Sequence, residues 1–197
     1  MELPLFPVGE IVLLPGMGLP LYVFEPRYRE LLGRVRASGE PFGIPCVLPD
    51  NPPDATPGKQ LAQVGTLAHL THVSYNADGT AEILVVGGDR YRIQDIDHEK
   101  HPYMVANVAL EPLEPSDPQW VRAMAQDVIE RFLHKIQGQL GDVSKEVPDE
   151  PLLKASFVAA NLRLGGPQGQ RVLEAKTLLE RFEILAELLG TGKRVLN

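Results

Sequence analysis

Eleven of the chain's 18 prolines lie within its first 57 residues. Proline has no backbone N–H to give to a ladder, so it is confined to strand edges, bulges, turns and the first turn of a helix. A segment this crowded with it folds as short strands joined by irregular loops. Residues 3–6, 11–14 and 19–24 read as such strands, with Pro15-Gly16 as the turn between the second and third. Residues 42–47 form another short apolar run, and residues 50–58 a polar surface loop. One helix interrupts the pattern. Pro26 suits a first helical turn, Tyr28, Leu31, Leu32 and Val35 follow at helical spacing, and Gly39 is a fitting stop.

From residue 61 to 112 the pattern is a strand meander. Residues 64–75 read as one long strand, bent at Gly65, and Asn76-Ala77-Asp78-Gly79 as a hairpin connection. Residues 80–86 return, with apolar side chains at both parities, which predicts burial on both faces. Gly87-Gly88 is expected to break that strand, and residues 91–96 and 103–110 complete the set. Short strands with turn signals between them suggest a closed or half-closed barrel. At Ser116 the apolar period changes from two to 3.6. Ser116 and Gln119 resemble a capping box, and Val121, Met124, Ala125, Val128, Ile129, Phe132, Leu133 and Ile136 form an unbroken apolar stripe along a helix. Residues 152–164, capped by Asp149, and residues 168–189 predict two more helices, with a frayed tail after Gly190. The reading is α+β: a barrel with one inserted helix over residues 1–113, then a helical bundle over residues 114–197.

Composition narrows the partners. At 197 residues and 44% apolar content the chain can bury a core unaided. The uncharged apolar stretch over residues 11–24 is broken by Pro15, Gly16, Gly18 and Pro20, so no membrane span is expected. Glu2, with no Lys or Arg before Arg27, does not suit a signal peptide, and the single Cys46 suits a reducing cytoplasm. Net charge is −7; residues 1–113 hold 8 Lys and Arg against 14 Asp and Glu. Neither half is basic, which makes nucleic acid an unlikely partner.

A search for chemistry finds little. Gly58-Lys59-Gln60 and Gly192-Lys193-Arg194 lack the hydroxyl of a phosphate-binding loop, and no serine sits in G-x-S-x-G. Cys46 lies in an apolar run and reads as a small hydrophobe. His98-Glu99-Lys100-His101 is one residue short of a zinc motif, and His69 and His72 should face opposite sides of a strand. No catalytic residue, metal site or cofactor is expected.

Four ordered segments carry a resemblance: Leu3-Pro4-Leu5-Phe6-Pro7-Val8-Gly9, Leu13-Leu14-Pro15-Gly16, Leu19-Pro20-Leu21 and Phe24-Glu25-Pro26-Arg27-Tyr28. They continue through Phe42-Gly43, Val64-Gly65-Thr66, Gly88-x-Arg90-Tyr91-Arg92 and Pro102-Tyr103, then Ala160-Asn161-Leu162, Gln170-Arg171-Val172-Leu173-Glu174 and Glu180-Arg181-Phe182. The set resembles the N-terminal domain of the ATP-dependent Lon proteases, the region also shared with cereblon. With no Walker motif and no Ser-Lys dyad region before Asn197, the match is to the stand-alone form of that domain. The resemblance implies a bacterial protein with a PUA-like β-barrel followed by helices, and a non-enzymatic role in recognising unfolded or extended polypeptides, linked to protein quality control. A protease acting in trans is a second candidate partner. A small-molecule or RNA-binding PUA-like protein is the alternative.

The residues weighed for binding are Met17, Leu19, Phe24, Glu25, Arg27, Tyr28, Arg90 and Arg92. Phe24 and Tyr28 are either core members at a fold-defining corner or, with Arg27, anchors on a rim. Arg27 has Glu25 or Asp89 as a partner. Met17, between two glycines, is either tucked under or displayed with Leu19 as an adaptable apolar contact. Arg90 and Arg92 either pair with Asp89 and Asp95 or form an anion site.

Overall fold

The computed structural model describes residues 1–48, 60–137 and 143–190. The polar loop expected at residues 50–58 and the tail after Gly190 lie outside the described residues. The chain divides into two compact units, Met1–Pro112 with Gly165–Leu173, and Leu113–Leu164 with the chain from Glu174 on.

The first unit is built on antiparallel strands. β1 (Glu2–Pro4), β3 (Gly18–Val23), β4 (Phe42–Ile44), β6 (Val64–Tyr75), β7 (Ala81–Asp97) and β8 (Val105–Leu110) form one sheet. Its order is β1-β8-β7-β6-β4, with β3 pairing the first half of β7. β2 (Val8–Gly9) and β5 (Cys46–Val47) make a separate parallel pair. The expected barrel does not close: among the described residues the end strands β1 and β4 are joined only through the bridge between Leu5 and Gly43. Leu13, Leu19, Val23, Leu31, Phe42 and Ile83 sit in one apolar core, and Leu3, Leu5, Tyr91 and Val108 in a second.

α1 (Pro26–Ser38) buries Tyr28, Leu31, Leu32 and Val35 and stops at Gly39. Gly39 takes φ 70°, open to a residue without a Cβ, and its N–H reaches the Val35 carbonyl at 2.9 Å.

Several sequence expectations for this unit need correcting. Residues 11–14 form no strand. Val12, Leu13 and Leu14 are buried, and the carbonyls of the last two find partners outside a ladder: Thr66 Oγ1 donates to the Leu13 carbonyl at 2.6 Å and the Met17 N–H to the Leu14 carbonyl at 3.0 Å, while the Gly16 N–H next along reaches Gly87 O at 2.7 Å. β7 runs unbroken through Gly87-Gly88. The glycines answer close approach instead, since a Cβ at Gly87 would strike the Leu14 carbonyl and one at Gly88 the His69 imidazole. Only one face of the returning half is buried: Ala81, Ile83 and Val85 lie inside, whereas Leu84 is 39% exposed. β6 shifts register between Thr66 and Ala68 and again between Leu70 and His72, not at Gly65. The second bulge has a consequence for the histidines. His69 stands opposite Val86 and His72 opposite Leu84, two residues of equal parity on β7, so both share one face.

In the second unit α2 (Pro118–Ile136), α3 (Pro151–Asn161) and α5 (Leu178–Leu189) pack on one another. Phe132 meets Phe157 edge-on at 5.9 Å, among buried Val121, Val128, Val158, Phe182 and Leu185. The caps differ from expectation. Asp117, not Ser116, accepts the Gln119 N–H, and Glu150, not Asp149, accepts that of Leu153. The helix expected over residues 168–189 is two helices. α4 (Gly166–Glu174) ends before Thr177, whose hydroxyl accepts the Glu180 N–H while the Glu180 carboxylate accepts that of Lys176.

α4 up to Leu173 belongs with the first unit. Gln170 Nε2 donates to Val64 O at 2.9 Å, Gly169 lies against Val12, and Gly166 against Cys46 Sγ.

Candidate functional site

β3 alternates Leu19, Leu21 and Val23 toward the core with Pro20 and Tyr22 outward. Phe24, the next residue, keeps the outward parity. Proline at 26 fixes the start of α1 two residues later, so the chain turns before Phe24 can be drawn inside. Phe24 is therefore 58% exposed and Tyr22 51%, with their rings stacked at 6.0 Å. Tyr22 Oη is held by the Thr80 hydroxyl at 3.0 Å.

These rings border a cleft of about 630 Å³ that runs to Phe6 and Tyr28. Phe6 and Tyr28, both 8% exposed, meet at 4.4 Å between ring centres, and Phe6 lies 6.2 Å from Phe42 in turn. Pro7, Val8, Leu21, Val47, Leu61 and Met104 add to the apolar lining. Burial raises the pKa of the Tyr28 hydroxyl, opposed by the cation of Arg27 beside it and reinforced by Glu25. It is a neutral polar group at the cleft edge, able to donate one hydrogen bond.

Charge enters at one point. Glu25 occupies the N-cap of α1, yet its carboxylate makes no capping bond. It accepts from Arg27 instead, at 2.9 Å from Nε and 2.7 Å from Nη2. The Arg27 guanidinium also lies 4.7 Å over the Tyr28 ring. An ion pair this exposed contributes little to stability, roughly 0–1 kcal/mol. Its place beside an apolar cleft gives the site one acceptor and one donor fork for a ligand's polar backbone or side chains.

The eight residues weighed from sequence separate into two groups. Phe24, Glu25, Arg27 and Tyr28 come together in the cleft. Tyr28 is buried and Phe24 is not, so the corner is both a packing device and a rim. Met17 and Leu19 lie elsewhere. Met17 is half-buried against the core, its N–H on Leu14 O and its carbonyl on the Gly87 N–H, and Leu19 is 6% exposed. Of the two placements weighed for Met17, tucked or displayed, it takes the tucked one. Arg90 is 4% exposed and donates to the carbonyls of Glu111, Leu173 and Pro112 at 2.9, 2.6 and 3.3 Å. Arg92 is exposed and pairs with Glu111 at 2.6 Å rather than with Asp89 or Asp95. No joint anion site results. Tyr22, Phe6 and Met104 were not anticipated as lining residues; the outward parity of Tyr22 with Phe24 on β3 was the available signal.

Cys46 is buried, which raises its thiol pKa and keeps it inert. Among the described residues no group of three or more His, Cys, Asp or Glu could hold a metal ion, and His101 instead stacks on Tyr103 at 5.0 Å. Among the same residues no helix is long and apolar enough to cross a membrane.

Comparison with known proteins gives one consistent family. The model for the ATP-dependent protease La (LON) substrate-binding domain matches residues 2–191. The Lon protease of Roseiflexus castenholzii is 26% identical over 99% of this chain, and Lon protease 2 of Desulfotalea psychrophila 29% identical over 94%. The chain spans only about a quarter of each, 25% and 24% respectively. Among solved structures, the N-terminal domain of the Mycobacterium avium complex Lon protease superposes with a TM-score of 0.72 at 20% identity, covering 97% of this chain and 99% of that one. The Lon N-terminal domain protein from Xanthomonas campestris gives 0.65 at 24% identity, covering 95% and 98%. Fold and sequence together place this chain in the ATP-dependent protease La (LON) substrate-binding domain family.

Proposed function

We propose that this chain is a non-catalytic polypeptide-recognition module that takes an extended apolar segment into the cleft between β3 and the start of α1. The observation that carries the reading is the pair of exposed, stacked aromatic rings of Tyr22 and Phe24 at the edge of an apolar cleft. Exposed aromatics beside a concave apolar surface are the groups that dominate binding energy at interfaces. Glu25 and Arg27 supply polar contacts without sequence demands, which suits a site that accepts many chains. The PUA-like fold with a helical bundle, the work in protein quality control with a protease in trans, and the place in the cytoplasm belong to the same proposal.

The test is binding to a permanently unfolded model protein. Phe24→Asp puts a charge where an apolar contact is needed and leaves the core untouched. The expected result is a loss of at least tenfold in affinity with an unchanged unfolding midpoint. Unaltered affinity in this variant would remove the cleft from the account.

A further inference from the structure

β4 covers only the start of β6. Phe42, Gly43 and Ile44 pair with Ala68, Leu67 and Thr66, and the preceding residue, Pro41, has no N–H with which to extend the ladder. β6 continues to Tyr75, and its inner side is occupied throughout by β7. Its outer side over residues 69–75 meets no strand among the described residues. The phase of the ladder shows which groups face out. The Asn76 N–H bonds the Thr80 carbonyl, so pairing alternates back through Ser74–Glu82 and His72–Leu84. Val73 and Tyr75 therefore aim their N–H and C=O groups away from β7, toward the side where no described strand pairs.

Beside this edge lies a second cleft, of about 500 Å³. The end of α1 supplies Val35 and Arg36 to it, the turn after it Glu40, and β6 Leu70, Val73 and Tyr75. The guanidinium of Arg36 stands 5.4 Å over the Tyr75 ring at its open end. Leu70 and Val73 are partly buried against the core, so the cleft has an apolar floor.

We infer that this edge is a second docking site, where an extended segment of another protein adds as a strand beside β6. Unpaired backbone groups at strand spacing are matched by another strand's backbone. Charge selects among strands. β6 carries no carboxylate, and Glu40 is the one acid in the cleft, so an incoming strand with an acidic residue opposite Arg36 is favoured. The edge of a second copy of this chain is disfavoured, because it would bring a second Arg36 to a strand equally without acids. The bulge at Thr71 keeps the straight part of the edge short and limits the contact to a few residues. This site is distinct from the aromatic cleft and does not depend on it.

The experiment uses the whole chain and a blocked probe peptide, Thr-Val-Glu-Val-Thr-Val-Thr. Two versions carry backbone N-methyl groups on alternate residues, one on each parity. Strand addition predicts that one N-methylated version loses at least tenfold in affinity while the other stays within threefold of the parent. The Val73 and Tyr75 amide resonances shift on binding, and Phe24→Asp leaves the affinity unchanged. Equal effects of the two N-methylated versions, shifts confined to the aromatic cleft, or saturation of the edge by self-association of this chain would each overturn the inference.

Discussion

A single buried cation shows how little of residue chemistry is free for binding. Arg90 sits on β7 beside exposed Asp89, and a sequence reading pairs it with a carboxylate or offers it to an anion. The fold instead turns its guanidinium onto the carbonyls of Glu111, Pro112 and Leu173. Only a planar fork reaches several acceptors in different directions, so lysine is no equivalent. Arg90→Lys should lower stability by about 2 kcal/mol, the scale for leaving buried acceptors without a partner. Chemical denaturation measures it, and a change under about 0.5 kcal/mol would show that the carbonyls are served in another way. Sequence could not assign this role, because the Leu173 carbonyl lies 83 positions away along the chain. By contrast the Glu25–Arg27 pair, two residues apart, was among the alternatives that sequence offered.

At the scale of elements, what the sequence showed best was local. β6 and α1 were legible because their signals lie within a few residues: a hairpin turn at Asp78-Gly79, a proline at the start of a helix and a glycine at its end. What it misread needed partners far away. Residues 11–14 look like a strand by composition, yet the Leu13 carbonyl accepts from the Thr66 hydroxyl and the Leu14 carbonyl from the Met17 N–H instead of from a ladder. Gly87-Gly88 looks like a break for the same reason, when Gly87 is the floor on which that segment rests and Gly88 makes room for His69. Gly87→Ala should therefore be among the most damaging small substitutions in the chain. Its methyl would strike the Leu14 backbone, and such overpacking costs roughly 1–3 kcal/mol or more. Thermal unfolding checks it, and a variant as stable as the parent would mean that the 11–14 segment does not lie on β7 as described. The split of residues 168–189 into α4 and α5 was visible in principle, since Thr177 with Glu180 is a helix-start signature inside an apolar run.

For the whole molecule, the family was legible and the site only partly so. Ordered short motifs across the chain carried the resemblance, and the family model matches residues 2–191. Of eight residues weighed for binding, four meet in one cleft, because Phe24, Glu25, Arg27 and Tyr28 are neighbours at one corner. Other lining residues, Phe6, Val47, Leu61 and Met104 among them, come from segments that no local pattern connects. The most direct measurement of the central claim is a residue-by-residue map of backbone and side-chain resonances as a permanently unfolded protein is titrated in. The account predicts that shifts concentrate at Tyr22, Phe24, Tyr28 and Met104 and vanish in Phe24→Asp. Saturable binding that leaves those four residues unperturbed would contradict it.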